Sequence, residues 1–152
     1  MPSPAQAIPE PEAVTRLMAI RVLLARGRQL KGSGDIPNAR LVLQQAAEAG
    51  DATAALELGA TYDPIELEKW YAILVRRAQA PSAPVASVVG GRPVSAENPV
   101  SAENIERKAL SDIKALSDIA MARTWYQKAK DLGSTEAQGR LENLARRDRP
   151  KR

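Results

Sequence analysis

The chain contains no cysteine, no histidine and no phenylalanine, and its few tryptophans and tyrosines make up only 3% of its residues. Without cysteine there can be no disulfide, no thiolate zinc site and no thiol nucleophile. Without histidine the commonest general base and the commonest metal ligand are gone. Most familiar enzyme mechanisms are thereby excluded, and the expectation is a protein with no catalytic, cofactor-binding or metal-binding residues. The lack of disulfides also means that nothing marks an oxidising compartment. No stretch of eighteen consecutive apolar residues occurs, so no membrane span is expected. Four prolines fall between Met1 and Pro11, with no basic segment leading into an apolar run, which does not read as a signal peptide. The expected location is cytoplasmic; a periplasmic one stays open if the chain is a fragment.

What remains is mostly alanine, leucine, valine and isoleucine. Such residues make a thin core and favour helices packed close together over a bulky interior. The net charge of +4 is carried by the C-terminus, where Arg146, Arg147, Arg149, Lys151 and Arg152 stand against Asp148. Positions 1 to 145 are neutral overall. Phosphate binding needs several cations on one ordered surface, so a solubilising basic tail over 148–152 is favoured over a nucleic-acid site.

The strongest signal is an internal repeat. Asp35 to Leu58 matches Asp118 to Leu141 at nine of 24 positions with a constant offset of 83. Each copy reads as cap, helix, glycine stop and second helix. Asp35 caps a helix with Pro37 in its first turn, Ala39, Leu43 and Ala46 form its buried face, and Gly50 ends it. Asp51 caps the next helix, which carries Ala54, Ala55, Leu58 and Tyr62. In the second copy Asp118 is the cap, Gly133 the stop and Ser134 the next cap, with a last helix to about Arg146. Helices joined so tightly must lie roughly antiparallel.

Upstream, Leu17, Ile20, Leu24 and Leu30 recur at helical spacing with Gly27 on the same stripe, and Gly32, Ser33 and Gly34 end that helix. Between the copies, Asp63-Pro64 reads as the cap and first-turn proline of a helix from Ile65 to about Gln79, with Leu67, Trp70 and Leu74 on one side. Residues 80–104 hold four prolines around Gly90-Gly91 and read as a flexible loop. Two exact short duplications follow, Pro93 to Asn98 as Pro99 to Asn104, and Ala109 to Ile113 as Ala115 to Ile119; the second pair holds helical spacing.

These residues resemble a known repeat pattern. Gly27-x-x-Leu30, Gly34, Ala39, Leu43 and Ala46 look like the small and large alternation of a tetratricopeptide unit, and Leu58-Gly59-x-x-Tyr62 resembles the opening of the next. Ala122-x-x-Trp125-Tyr126-x-x-Ala129, with Gly133 and Ala137, resembles the Sel-one-like repeat more specifically. In the first copy Val42-Leu43 stands where that family has its Trp-Tyr pair. The resemblance implies an all-α fold of antiparallel helical hairpins stacked as a short α-solenoid, behind a disordered proline-rich segment at 1–11. The helical domain then covers 12–147, with repeat one at about 15–62, an insertion at 63–117 and repeat two at about 118–145. Units of roughly 36 residues leave an excess of about 47 at this offset. An insertion is favoured over reading Trp70-Tyr71 as a worn third copy.

Other motifs are weaker. Gly27 to Ser33 half resembles a phosphate-binding loop but lacks the lysine after its second glycine. Glu66 and Glu68, two apart, point to different helix faces, which spoils a paired-carboxylate site. Trp125 and Tyr126 fall at structural positions of the repeat, whereas Trp70 and Tyr71 are less constrained as anchors for a partner. Val85 to Val89 reads as an unpaired loop.

The expected function is a non-catalytic interaction module binding a protein or peptide, with Arg21, Arg28 and Glu57 as candidate contacts. Two alternatives stay open: binding of nucleic acid or an acidic surface through the tail, and a regulatory C-terminal fragment of a larger membrane-anchored or enzymatic protein. Two repeats are fewer than an array normally needs, so either the insertion completes the stack or the chain self-associates.

Overall fold

Alanine-rich segments punctuated by aspartate caps and glycine stops fold here into helices, seven among the described residues. The computed structural model describes residues 10–79 and 102–149, among which no strand occurs. In chain order the helices are α1 (Pro11–Ser33), α2 (Ile36–Glu48), α3 (Ala52–Ala60), α4 (Pro64–Gln79), α5 (Ala102–Leu116), α6 (Ile119–Asp131) and α7 (Thr135–Arg147). The chain is all-α, in a helical-repeat arrangement.

The caps explain the boundaries. Asp35, Asp51 and Asp118 each accept a hydrogen bond from the backbone N–H three residues on, that of Asn38, Ala54 and Met121. Each satisfies one of the donors a helix start leaves free. Gly34, Gly50 and Gly133 take φ near +100°, where side chains are strained, and so turn the chain after α1, α2 and α6. Ser134 departs from the expectation: it occupies the cap position of α7, but its side chain makes no capping bond. The repeat is otherwise closely kept, since α2 and α6 are both 13 residues long and start and stop at equivalent positions.

Packing follows the small residues. Ala39, Leu43 and Ala46 of α2 and their counterparts Ala122, Tyr126 and Ala129 of α6 are all completely buried. One cluster joins Ala46 and Ala47 to Ala54 and Ala55 of α3, and further to Ala129 and Ala137. The main helix pairs are α1 with α2, α2 with α3, α3 with α6, α6 with α7, and α4 with α5. The second helix of α3's hairpin is therefore α6, reached only after the chain has passed through α4 and α5. Residues 63–117 divide a hairpin instead of standing between two complete ones.

Three further expectations change. Residues 102–104, read as loop, are the first turn of α5. Leu17 is 56% exposed, although it lies on the stripe of Ile20 and Leu24, because α1 outruns the shorter α2 and no other described helix covers its first turns. Trp125 is only half-buried, at the edge of the alanine cluster. The readings of 1–9, 80–101 and 150–152 as disordered segment, loop and tail lie outside the described residues.

Candidate functional site

Glycine sets how closely two helices approach, and it does so twice. A Cβ added at Gly27 of α1 would lie 2.6 Å from Leu43 Cδ2 of α2, and one added at Gly59 of α3 would lie 2.6 Å from Tyr126 Cδ1 of α6. Gly27 and Gly59 are thus equivalent, as are Leu43 and Tyr126, and a large side chain fills the space each missing methyl leaves. The divided hairpin closes as tightly as the continuous one.

Hydrogen bonds donated by three groups, the Asp118 N–H, the Arg40 guanidinium and the Tyr126 hydroxyl, hold the neck of the insertion. The Tyr62 carbonyl accepts from the Asp118 N–H at 2.9 Å, so the chain returns to within one hydrogen bond of where it left. Arg40 of α2 donates through Nη2 to the carbonyls of Thr61 (2.5 Å) and Leu116 (2.6 Å), at the ends of α3 and α5, and through Nε to the Thr61 hydroxyl. A cation at two helix C-termini also offsets their negative dipole ends. Its guanidinium lies 3.7 Å from the Tyr62 ring centroid. Burial pulls the Arg40 pKa down against the opposing pull of Tyr62 and Asp118. On the other side, the fully buried Tyr126 hydroxyl donates to Asp63 Oδ2 at 2.8 Å, while Asp63 Oδ1 accepts from the Ile65 N–H that opens α4. Burial, then the Asp63 charge, pushes the Tyr126 hydroxyl well above the ordinary tyrosine range.

With its neck fixed, the insertion projects as a hairpin of α4 and α5 with a groove of about 480 Å³ between them. Ala72 and Val75 from α4 and Ala109, Leu110 and Ile113 from α5 line it, with Tyr71 on one wall and Glu68, Arg76 and Glu106 at the rim. Leu110 is 65% exposed along this groove. Burial and the nearby Asp112 carboxylate raise the Tyr71 pKa. Trp70, whose ring meets that of Tyr71 edge-on at 4.8 Å, lines a second and smaller groove on the other side of α4, with Lys31, Ile36, Leu67 and Ile73. The aromatic pair is thus shared between two grooves.

The three residues put forward as contacts do not form one surface. Arg28 pairs with Glu57 at 3.2 Å, and Lys31 pairs with the same carboxylate, so these two residues tie α1 to α3. Burial raises the Glu57 pKa, but Lys31 and Arg28 outweigh it and hold the carboxyl below the ordinary range. Glu57 is half-buried, not fully exposed. Arg21 stands apart on the exposed side of α1. Glu66 and Glu68 do diverge. Glu66 joins Lys69 and Arg140, the latter an ion pair at 2.7 Å without hydrogen-bond alignment, and Glu68 takes both Nη atoms of Arg147. Among the described residues no three acidic side chains gather where a metal ion could be held, and no helix is long and apolar enough to cross a membrane.

Reading the sequence for chemistry missed Arg40, although the signal was present: Arg40 and Arg123 coincide in the repeat. Both reach the end of the next first helix, Arg123 by pairing with Asp148 at the C-terminus of α7. Searches of family models, curated proteins and solved structures find no match to this chain.

Proposed function

We propose that the protein is a non-catalytic interaction module of the tetratricopeptide or Sel-one-like kind, whose inserted hairpin takes an amphipathic helical segment of a partner into the groove between α4 and α5. The observation that carries this reading is the divided hairpin. Since α3 and α6 pack against each other with the same glycine contact as α1 and α2, the stack does not depend on the insertion for its closest crossing. The insertion is then free to present a surface of its own.

The groove suits a helix. It is open, apolar on its floor, and small residues on both walls allow a third helix to approach; such grooves read apolar side chains at i, i+3 or i+4, and i+7. Glu68 and Glu106 against Arg76 at the rim fix polarity by charge, a matter of specificity more than of affinity. Glu68 is partly spent on Arg147, which also takes one cation away from the basic C-terminus as an anion-binding surface. That pairing is why the protein-binding reading is preferred to the nucleic-acid one.

Selection of a randomised helical-peptide library against the full chain tests this. Binders should share an apolar face at helical spacing, protect the amides of α4 and α5 from hydrogen exchange, and lose at least about tenfold in affinity against Leu110→Asp, an exposed change that leaves the fold intact. Binders that protect other helices, or that ignore Leu110→Asp, would overturn the assignment.

A further inference from the structure

The three first helices α1, α3 and α7 can be laid on one another through Gly27 and Gly59 and through the offset of 83. At one shared position they carry Val22, Ala54 and Ala137. Ala54 is wholly buried in the cluster with Ala46 and Ala47 of the preceding α2, and Ala137 in the same cluster with Ala129 of the preceding α6. Val22 has no preceding helix among the described residues and is 68% exposed. The position that docks each hairpin onto the one before it is therefore apolar and bare on α1.

The other end of the stack is different. Where α1 has Leu23 and Gly27, and α3 has Ala55 and Gly59, α7 has Gln138 and Glu142, both exposed and bonded to each other. A polar outer face of that kind is what a terminal cap carries. Head-to-tail growth of one chain onto another would bury these polar groups, whereas α1 meeting α1 of a second copy buries apolar ones.

The residues along that side of α1 are self-complementary. Taken every fourth position, they read Glu10, Val14, Met18, Val22 and Arg26, a row about 24 Å long on one ridge of the helix. All five are exposed, with Val14 at 38% and Met18 at 56%. The row is symmetric about Met18 in its apolar members and opposite in charge at its ends. A two-fold axis through Met18 sets Val14 against Val22 of the other copy and Glu10 against its Arg26. Among the described residues Arg26 is otherwise held by Gln29 at 2.9 Å. Residues 11–19 are exposed throughout.

We propose that two copies of the chain pair antiparallel through α1, with Met18 on the two-fold axis. The pairing uses none of the groove between α4 and α5, so it stands independently of the binding reading above.

The chain has no cysteine, so single cysteines placed on α1 report on this contact alone. In the full-length protein Met18→Cys should form an intermolecular disulfide on mild oxidation, because only a residue on the axis meets itself. Val22→Cys alone should form far less, and a mixture of Val14→Cys and Val22→Cys should cross-link to each other. Sedimentation equilibrium should show a concentration-dependent dimer. Glu10→Arg or Arg26→Glu alone should raise the dissociation constant about tenfold or more, and the double exchange should bring it back to within about threefold. These are surface changes, and circular dichroism checks that each variant stays helical. A monomer at every concentration, equal cross-linking at all three positions, or a double exchange no better than its worse single, would overturn the pairing.

Discussion

The α1–α2 and α3–α6 hairpins follow one plan and are closed by different means. In the first, a two-residue turn at Gly34-Asp35 brings the helices together and Leu43 fills the space over Gly27. In the second, the chain leaves after Tyr62, builds α4 and α5, and returns at Asp118 before Tyr126 fills the space over Gly59. Closing a longer excursion costs about 0.6 kcal/mol for each doubling of its length, so roughly five doublings amount to about 3 kcal/mol. Hydrogen bonds to a charged group each contribute about 1.5–3 kcal/mol. Arg40 alone makes three of them at the neck, two to Thr61 and one to Leu116, and the pair Tyr126 and Asp63 adds a buried bond on the other side. The lesson is that a helical hairpin tolerates a large insertion when specific polar bonds take over the work of a short turn.

Substitutions can break that comparison. Tyr126→Ala should have the largest effect, about 3–5 kcal/mol by chemical denaturation. It removes a fully buried ring and leaves Asp63 Oδ2 without its donor, so it should exceed Leu43→Ala; equal losses would mean that the polar anchor contributes nothing. Arg40→Met should cost about 1.5–3 kcal/mol. Hydrogen exchange should quicken at the end of α5 and the start of α6 while the α1–α2 hairpin stays protected, and uniform loosening would contradict a local clamp.

The glycines sharpen the contrast. Each change to alanine should cost about 1–3 kcal/mol through overpacking. Gly59→Ala should be the worse, because the Tyr126 ring is pinned by its hydroxyl whereas Leu43 has branches that can turn. The reverse order, read from denaturation midpoints, would show that the ring is not held. Tyr126→Phe should be mildest, about 1–3 kcal/mol, and carries a pH signature. The native hydroxyl has its pKa raised, so the unfolded chain ionises first, near pH 10. Wild-type stability is full below that pH and should fall as pH rises through and above it, and the phenylalanine variant should lose less over the same range.

Much of this fold was legible in the residues. Asp35, Asp51 and Asp118 as caps, Gly34, Gly50 and Gly133 as stops, and the alanine faces of α2 and α6 all follow from local rules that tertiary packing did not override. Partnership was less legible. Nothing in the sequence says that α3 waits for α6: Leu43 and Tyr126 coincide at the offset of 83, but that Tyr126 fills the space over Gly59 as Leu43 does over Gly27 shows only in the packing. The groove was illegible for a related reason: Tyr71 and Leu110 lie on ordinary amphipathic helices, and only the pairing of α4 with α5 makes a wall of each. Arg28 and Glu57 were placed as surface groups, and their mutual ion pair could not be foreseen because helical spacing gives a face but not what lies across it. Leu17 and Val22 show the same gap, since an apolar stripe does not record where its neighbour ends.

The central claim is that the insertion is supported by the stack and not the reverse. Because the Tyr62 carbonyl and the Asp118 N–H are already bonded at 2.9 Å, residues 64–116 can be excised and the ends joined by a short glycine-serine turn. Thermal unfolding of the shortened chain, followed by circular dichroism, should still show one cooperative transition, at a lower midpoint for want of the buried Leu67 and Ile113, with only the helical signal of α4 and α5 missing. A shortened chain that melts without cooperativity, or loses the signal of α3, α6 and α7 as well, would contradict the account.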